Sequence, residues 1–431
     1  NKFPKNSVIS LLFDNTHEFV ISYLGTISSG CIAHLIPTGI SQKNLMGQIS
    51  SAKPKLVLSS ENHFSKIAEI ESKSIEKLRF SEVRKTNSEE RKPNPTDYAY
   101  LIYTSGTTSS PKGVPITHSN CVFTTKNIVK TLQYSSNDID ILPLPLSHSF
   151  GLGCLHTSLY VGSTLVLHQS MDIPQILNSI KKHNASTLAA VPPTLSKIVS
   201  NNLEDALNSL SKLRLIITNS TFFPPETIQK LKKILNDGKV ATYYGLTEAS
   251  RSTFMIFDSN EKIESVGKPS DGISLKLVSN NDKSSIGEIW IKGKNVIERY
   301  WNEEYKENFT DGWLKTGDLG RVDDDGYLYI LGRVDELINI SGEKVYPQEI
   351  ERAVKVLSGI DDAVAVPMKH EVFGEVVKLF VKKSIKSDVS KTDILTHCIK
   401  NLERFKVPAK IEFVEDFPRT NYGKIKRFML K

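Results

Sequence analysis

Short β-branched runs separated by amphipathic helical patterns constrain this chain more than any other feature. "KLVLSS", "YAYLIYTSG", "STLVLH", "LRLIITNS" and "VATYYG" are brief, apolar, and closed by polar or glycine-rich turns, so they read as strands. Between them, "DIPQILNSIKKH" and "PPETIQKLKKILNDG" return apolar residues at helical spacing behind an early proline. "HEFVISYLGTISSG" adds an earlier helix, with Phe19, Val20, Tyr23, Leu24 and Ile27 on one face and Gly30 to end it. Strands alternating with helices predict parallel sheets with helical crossovers, whose ligand sites lie outside the carboxyl ends of the strands. "TSGTTSSPKGV" (104–114) follows directly on one of those strands.

Past Asp258 the pattern changes. "SVGKPSDGISLKLVSNNDKSSIGEIWIKG" alternates short strands with Gly, Asn, Asp and Ser turns, and "TGDLGRVDDDGYLYILGRVDE" turns at Asp324, Asp325 and Gly326, which predicts a β-rich module over about 259–334. From Pro347 onward come a helix ("PQEIERAVKVL"), a strand ("VVKLFVKK"), a helix opened by a Ser390/Asp393 capping box, and a strand ("KIEFVED"). The predicted class is therefore α/β: a large N-terminal domain of helix-flanked sheets (1–334, including the β-rich module) and a small α+β C-terminal domain (335–431), cut near Arg333 to Glu336. With 431 residues and 39% hydrophobic content, more than one core is expected.

Lys and Arg number 55 against 48 Asp and Glu, a formal charge of +7, but the basic residues are interspersed with acidic ones. That balance suits an anionic small ligand and disfavours nucleic acid. Cys31, Cys121, Cys154 and Cys398 are far apart and show no zinc-type spacing, so a reducing cytoplasm is expected. No apolar run reaches the roughly 18 residues of a spanning helix, and "NKFPKNSVISLLFDN" is no convincing signal peptide.

Ser, Thr and Gly crowded after a strand can offer backbone N–H groups and hydroxyls to phosphate oxygens, and Lys112 adds a mobile charge. The stretch is not the common P-loop, because Gly106 is followed by T-T-S-S-P before Lys112, and Gly113 stands where a Ser or Thr should bind magnesium. Taken alone, a plain surface turn explains it equally well.

Other segments change that balance. In order, "YTSGTTSSPKGV", "PLPLSHSFGLG", "YYGLTEA", "TGDLGRVDDDGYLYILGR", "VDELINISGEKVYPQEIE" and "PRTNYGKIKR" resemble the ordered signature of the adenylate-forming superfamily: acyl- and aryl-CoA synthetases, adenylation domains and luciferases. The resemblance runs from "NTHEFVISYLGTISSG" to the last residues, and implies a C-terminal domain that moves. "NSVISLL" resembles the family's first strand, so the N-terminus is expected to be shortened relative to the family.

The resemblance implies ATP, Mg2+ and a thiol acceptor, CoA or a carrier protein's phosphopantetheine. It assigns Thr104, Ser105, Gly106, Thr107, Thr108 and Lys112 to the β- and γ-phosphates, with Ser109 departing from the family's usual glycine. Glu248 matches the magnesium ligand, Thr247 the α-phosphate contact, and Tyr244 with Gly245 the adenine side. Asp318 and Arg333 match the ribose contacts, Lys424 the catalytic lysine, Asp335 the hinge, and Gly342 the pantetheine tunnel. Asn219, Ser220 and Thr221 fall in the family's adenine-side segment, but "TNSTFFPPE" departs from its usual "GGAPLPPE" through Phe222.

His148 matches a residue bordering the carboxylate pocket, with a core histidine as the alternative. Phe150 is followed by Gly151, Leu152 and Gly153, without the aspartate that pairs with an amino acid's ammonium, so a fatty, aryl or hydroxy acid is expected. Phe222 and Phe223 either narrow the acyl pocket or belong to the core, and Arg251 either pairs with a second acidic group or is structural. The expected reaction is ATP-dependent formation of an acyl-adenylate with release of pyrophosphate, then thioester formation on CoA. Loading of a carrier protein and a non-catalytic nucleotide-binding relative are the competing readings, and a monomer or homodimer is expected.

Overall fold

The computed structural model describes residues 3–70, 75–83, 92–104, 111–200, 204–219, 222–279, 285–303, 306–341, 343–385, 387–419 and 425–430. The fold is α/β and forms two compact units: Asn1–Leu275 with Trp290–Lys315, and Lys276–Ile289 with Thr316–Lys431.

In the first unit, a six-stranded sheet runs in the order Glu76–Arg79, Leu56–Ser59, Val8–Leu12, Ile32–Ile36, Tyr98–Thr104, Lys112–Thr117. A seven-stranded sheet runs Lys268–Pro269, Thr253–Ile256, Lys239–Tyr244, Leu215–Thr218, Thr187–Ala189, Ile139–Leu142, Thr164–Leu167. The five strand runs quoted first from the sequence appear in these sheets, and the first sheet's Val8–Leu12 pairs in parallel with both Ile32–Ile36 and Leu56–Ser59. The sheets are mixed where the sequence predicts parallel ones. Lys112–Thr117 returns antiparallel to Tyr98–Thr104, and Thr253–Ile256 antiparallel to Lys239–Tyr244. The cause is chain length: a parallel neighbour needs a crossover of a dozen or so residues, and neither connection is that long.

Helix ends follow local chemistry. The Asp172 side chain accepts the Gln175 N–H at 2.9 Å to start Ile173–His183, which ends on Asn184 in the left-handed region at φ 48°. Helix His17–Ser28 is followed by Gly30 at φ 71°, and its Phe19 and Tyr23 are wholly buried. Phe223 is buried edge-on to Phe257, a core residue, whereas Phe222 is exposed.

Asp140, on Ile139–Leu142, is fully buried; Thr187 donates to its Oδ1 at 2.5 Å, and Oδ2 has no hydrogen-bond partner among the described residues. Burial pushes its carboxyl up to about 7, against the Thr187 hydrogen bond that lowers it. Between the ordinary carboxylate range and pH 7 the folded chain therefore holds a proton that the unfolded chain has lost. Its contribution to stability is complete below about pH 4 and is lost as pH rises through 7, on the order of 4 kcal/mol for this fully buried group. Asp140→Asn should gain in melting temperature over the native protein as pH goes from 4.5 to 8; a difference that stays flat with pH would show Asp140 ionised in the fold.

In the second unit, residues 318–322 pair antiparallel with Leu328–Arg333, the chain turning at Asp323, whose carbonyl accepts from Gly326 N–H at 2.9 Å. Five strands, Glu343–Val345, Ile338–Ile340, Gly374–Lys383, Ile360–His370 and Lys410–Val414, form the sheet of the C-terminal region. Helices Pro347–Lys355 and Lys391–Asn401 bury Ile350, Val354, Ile394 and Cys398 in one cluster with Val377, Leu379 and Val381 of that sheet. The Ser390/Asp393 capping box forms as the sequence predicts. No helix among the described residues is long and apolar enough to cross a membrane, and all four cysteines are free.

Candidate active site

The strand Lys239–Tyr244 ends at Gly245, and the chain doubles back within eight residues into Thr253–Ile256. A tight turn makes this possible: Leu246 and Ala249 exchange backbone hydrogen bonds at 3.2 Å each way, and Ser252 N–H donates to Tyr244 O at 2.8 Å. A Cβ on Gly245 would stand 2.4 Å from the Arg251 nitrogen and 2.7 Å from Ala249 O, so glycine is required there. Thr247 and Glu248 occupy the tip of this turn, half-buried.

Glu248 is held from a distant part of the sequence. Ile297 N–H donates to its backbone carbonyl at 3.0 Å, and the Tyr300 hydroxyl donates to its Oε1 at 3.0 Å while accepting from Asn308 Nδ2 at 3.2 Å. Lys112 Nζ lies 5.4 Å from the centre of the same Tyr300 ring. Lys112 is itself fixed as the first residue of its strand, opposite Thr104 in the hairpin. Thus the carboxylate assigned to magnesium, the lysine assigned to phosphate and Thr104 share one neighbourhood. Tyr300 and Asn308 were not legible as site residues, because nothing local marks either of them and the link from Tyr300 to Glu248 spans 52 positions. Ser105, Gly106, Thr107, Thr108 and Ser109 lie outside the described residues.

Tyr244 is buried, its N–H facing the Thr253 hydroxyl at 3.3 Å. Asn219 is half-buried and hydrogen-bonds the neighbouring Tyr243 hydroxyl, while Ser220 and Thr221 lie outside the described residues. His148 precedes helix Ser149–Val161, and its Nδ1 accepts the Phe150 N–H at 3.4 Å, so it caps the helix while remaining half-buried. Arg251, at φ 54°, reaches into the first turn of that helix. It donates to Ser149 O at 3.2 Å and Phe150 O at 3.0 Å, and Gly153 clears its path, since a Cβ there would stand 2.2 Å from the guanidinium.

In the second unit, Asp318 and Arg333 face each other across paired strands and join at 3.0 Å. Arg333 also donates to Thr316 O at 2.9 Å and to Asp335 at 3.3 Å, so both ribose candidates and the hinge candidate form one charged cluster. Burial would lower the Arg333 pKa, but Asp318 and Asp335 outweigh it and keep the guanidinium firmly protonated. Gly317, at φ 70°, lets the guanidinium approach within 2.9 Å of where a Cβ would be.

Gly342 and Lys424 lie outside the described residues, but the chain beside Lys424 is well fixed. Arg419 and Ile425 form a backbone bridge, and Lys426 N–H donates to Pro418 O at 2.8 Å. Arg427 grips the buried Glu351 with both terminal nitrogens, one pair at 2.8 Å, and donates to Ala365 O at 3.1 Å.

As to metal, the described residues contain no cluster of three or more His, Cys, Asp or Glu side chains. A lone half-buried carboxylate at Glu248 fits an ion that takes the rest of its oxygen ligands from phosphates and water, as magnesium does, and does not fit a zinc-type cage.

Residues 3–301 match the family described as AMP-binding enzyme, and residues 349–424 match the AMP-binding enzyme C-terminal domain. The chain is 31% identical to an oxalate–CoA ligase of Arabidopsis thaliana, over 97% of this chain and 87% of that one. It is 29% identical to 4-coumarate–CoA ligase 1 of Narcissus pseudonarcissus, over 98% of this chain and 83% of that one. In three dimensions it is similar to o-succinylbenzoate CoA synthetase of Bacillus subtilis in complex with its acyl-adenylate intermediate, with TM-score 0.89 and 28% identity over 99% of this chain and 88% of that one. That enzyme has also been solved with ATP and a magnesium ion.

Proposed function

The chain belongs to the AMP-binding enzyme family, and on that premise we propose that it joins a fatty, aryl or hydroxy acid to the AMP part of ATP, releasing pyrophosphate, and passes the acyl group to the thiol of CoA, releasing AMP. It is an AMP-forming acid–thiol ligase; the identity of the acid and the roles of individual residues are our reading. The observation that carries it is the convergence of Glu248, Tyr300, Lys112 and Thr104. Within that range, similarity to ligases named for oxalate, 4-coumarate and o-succinylbenzoate favours a small polar or aryl acid over a fatty one.

The chemistry follows from charge. A carboxylate must attack the α-phosphate of ATP, and both are anions, so the protein must supply positive charge and in-line alignment. When bound at Glu248, magnesium would neutralise phosphate charge. Lys112 supplies a further cation beside it, Thr247 a hydroxyl at the α-phosphate, and Tyr300 holds the Glu248 carboxylate in one orientation. Asp318 accepts from the ribose hydroxyls, with Arg333 locking its carboxylate in place. Tyr244 and Gly245, with Asn219, Ser220 and Thr221, take the adenine side, and His148 the rim of the acid pocket.

Lys424 bridges ribose and carboxylate oxygens for the first step. A rotation of the small domain about Asp335 then withdraws it and brings the loop led by Gly342 to the pantetheine arm. Closure over the nucleotide would shield the mixed anhydride from water. CoA is preferred over a carrier protein because the similar ligases are CoA ligases. The four free cysteines support a cytoplasmic location.

Carboxylate-dependent ATP/pyrophosphate exchange over a panel of acids tests the reading, followed by AMP release with CoA and with a holo carrier protein. Exchange should appear with at least one acid and AMP release should respond to CoA. Exchange with no acid would overturn the proposal, and release stimulated by carrier protein alone would replace CoA as acceptor.

A further inference from the structure

The activation chemistry leaves the guanidinium of Arg251 without a task. Arg251 is 3% exposed, yet its donors reach neutral groups: the carbonyls of Ser149 and Phe150, the Ser250 hydroxyl at 2.9 Å, and the Cys154 thiol, which burial keeps protonated. Its Nε is buried with no hydrogen-bond partner among the described residues. One face lies 4.8 Å from the centre of the Tyr243 ring.

The titratable groups around it supply no counter-charge. Burial raises the Tyr100 hydroxyl far above its ordinary range and pushes the Cys121 thiol up to about 12, so both stay neutral. Burial, helped by the charge on Arg251, pushes His156 down to about 3, so it is neutral as well. Tyr23 and Cys121 complete the hydrogen bonding of His156, at 2.8 and 3.1 Å. No carboxylate among the described residues pairs with Arg251. A full positive charge is thus held in a desolvated place without a counter-ion, which is costly until an anion arrives.

The position says which anion. The guanidinium lies on the first turn of helix Ser149–Val161, directly after His148, and its backbone lies three residues beyond Glu248. We infer that Arg251 receives a second acidic group of the substrate, so that the acid this enzyme activates is a dicarboxylate, or a carboxylate carrying another anionic group. The inference rests on the activation reading above and names the substrate class within it. One carboxylate reacts at the pocket rim while the other meets the forked guanidinium donors, a geometry suited to a planar carboxylate. Arg251 touches the substrate's far end and takes no part in bond making.

The test is ATP/pyrophosphate exchange with short α,ω-diacids and, side by side, their monoamides, which keep length and shape but lose the second charge. Native enzyme should prefer each diacid by ~100-fold or more in kcat/KM, because a buried polar site rejects an analogue that leaves it unpaired. In Arg251→Gln that ratio should collapse toward one, and Arg251→Lys should keep part of it. The native comparison needs no variant, so the proposal stands or falls even if Arg251→Gln fails to fold. Equal use of diacids and monoamides by native enzyme would overturn it. So would a variant of unchanged melting temperature that loses both series equally, which would make Arg251 a clamp on the Glu248 turn. Exchange with monoamides but not diacids, or with neither while another acid of the panel supports it, overturns this inference alone; exchange with no acid of the panel overturns the activation reading and this inference with it.

Discussion

Replacing Lys424 with alanine is expected to lower acid-dependent ATP/pyrophosphate exchange by ~100- to 1000-fold, roughly 3 to 4 kcal/mol of transition-state stabilisation. Charge builds between the attacking carboxylate and the α-phosphate, and a cation placed between ribose and carboxylate oxygens stabilises that arrangement more than it does the separate substrates. Thioester formation from pre-made acyl-adenylate should be largely intact in the same variant, because in the proposed rotation the lysine has by then left the nucleotide. Exchange and single-turnover thioester formation, measured on one preparation, separate the two steps. Equal loss of both would count against domain rotation about Asp335. Lys424 lies outside the described residues, so this expectation rests on the match of "PRTNYGKIKR" and on the fixed chain at Ile425 to Arg427.

Glu248→Gln should be nearly as damaging, with a loss of ~100-fold or more at ordinary magnesium concentration. Glutamine keeps an oxygen to accept the Tyr300 hydroxyl, so the turn and its packing survive. What disappears is the anionic charge that a hard cation requires. The diagnostic feature is the magnesium dependence: the variant should need far more metal to reach half-maximal exchange. An unchanged magnesium midpoint with lowered rate would remove Glu248 from the metal and leave it a structural partner of Tyr300. Circular dichroism of the variant guards against simple unfolding.

Much of this was readable before any coordinates. The strands and helices announced themselves through period and capping, as in the Ser390/Asp393 box, because those signals are local. Gly245 and Glu248 were singled out through the resemblance of "YYGLTEA" to a family segment, since a lone T-E after a glycine marks no site by itself. Tyr300 and Asn308 were not, since only the folded chain brings them to Glu248. The return strand Lys112–Thr117 was hidden because its residues had already been read as part of a phosphate loop. That no carboxylate among the described residues pairs with Arg251 was out of reach, because pairing is a property of surroundings, and sequence shows residues without their neighbours.

The grip of Arg427 on Glu351 has a kinetic meaning. A side chain carried on a slack tail visits its target rarely, whereas one on a short tether meets it at an effective concentration set by the tether's length and stiffness. The backbone bridge from Arg419 to Ile425 and the forked pair at Arg427 fix both sides of the segment that bears Lys424. On the proposed role of Lys424, a glutamate buried in the small unit would set part of the adenylation rate by anchoring the chain at Arg427.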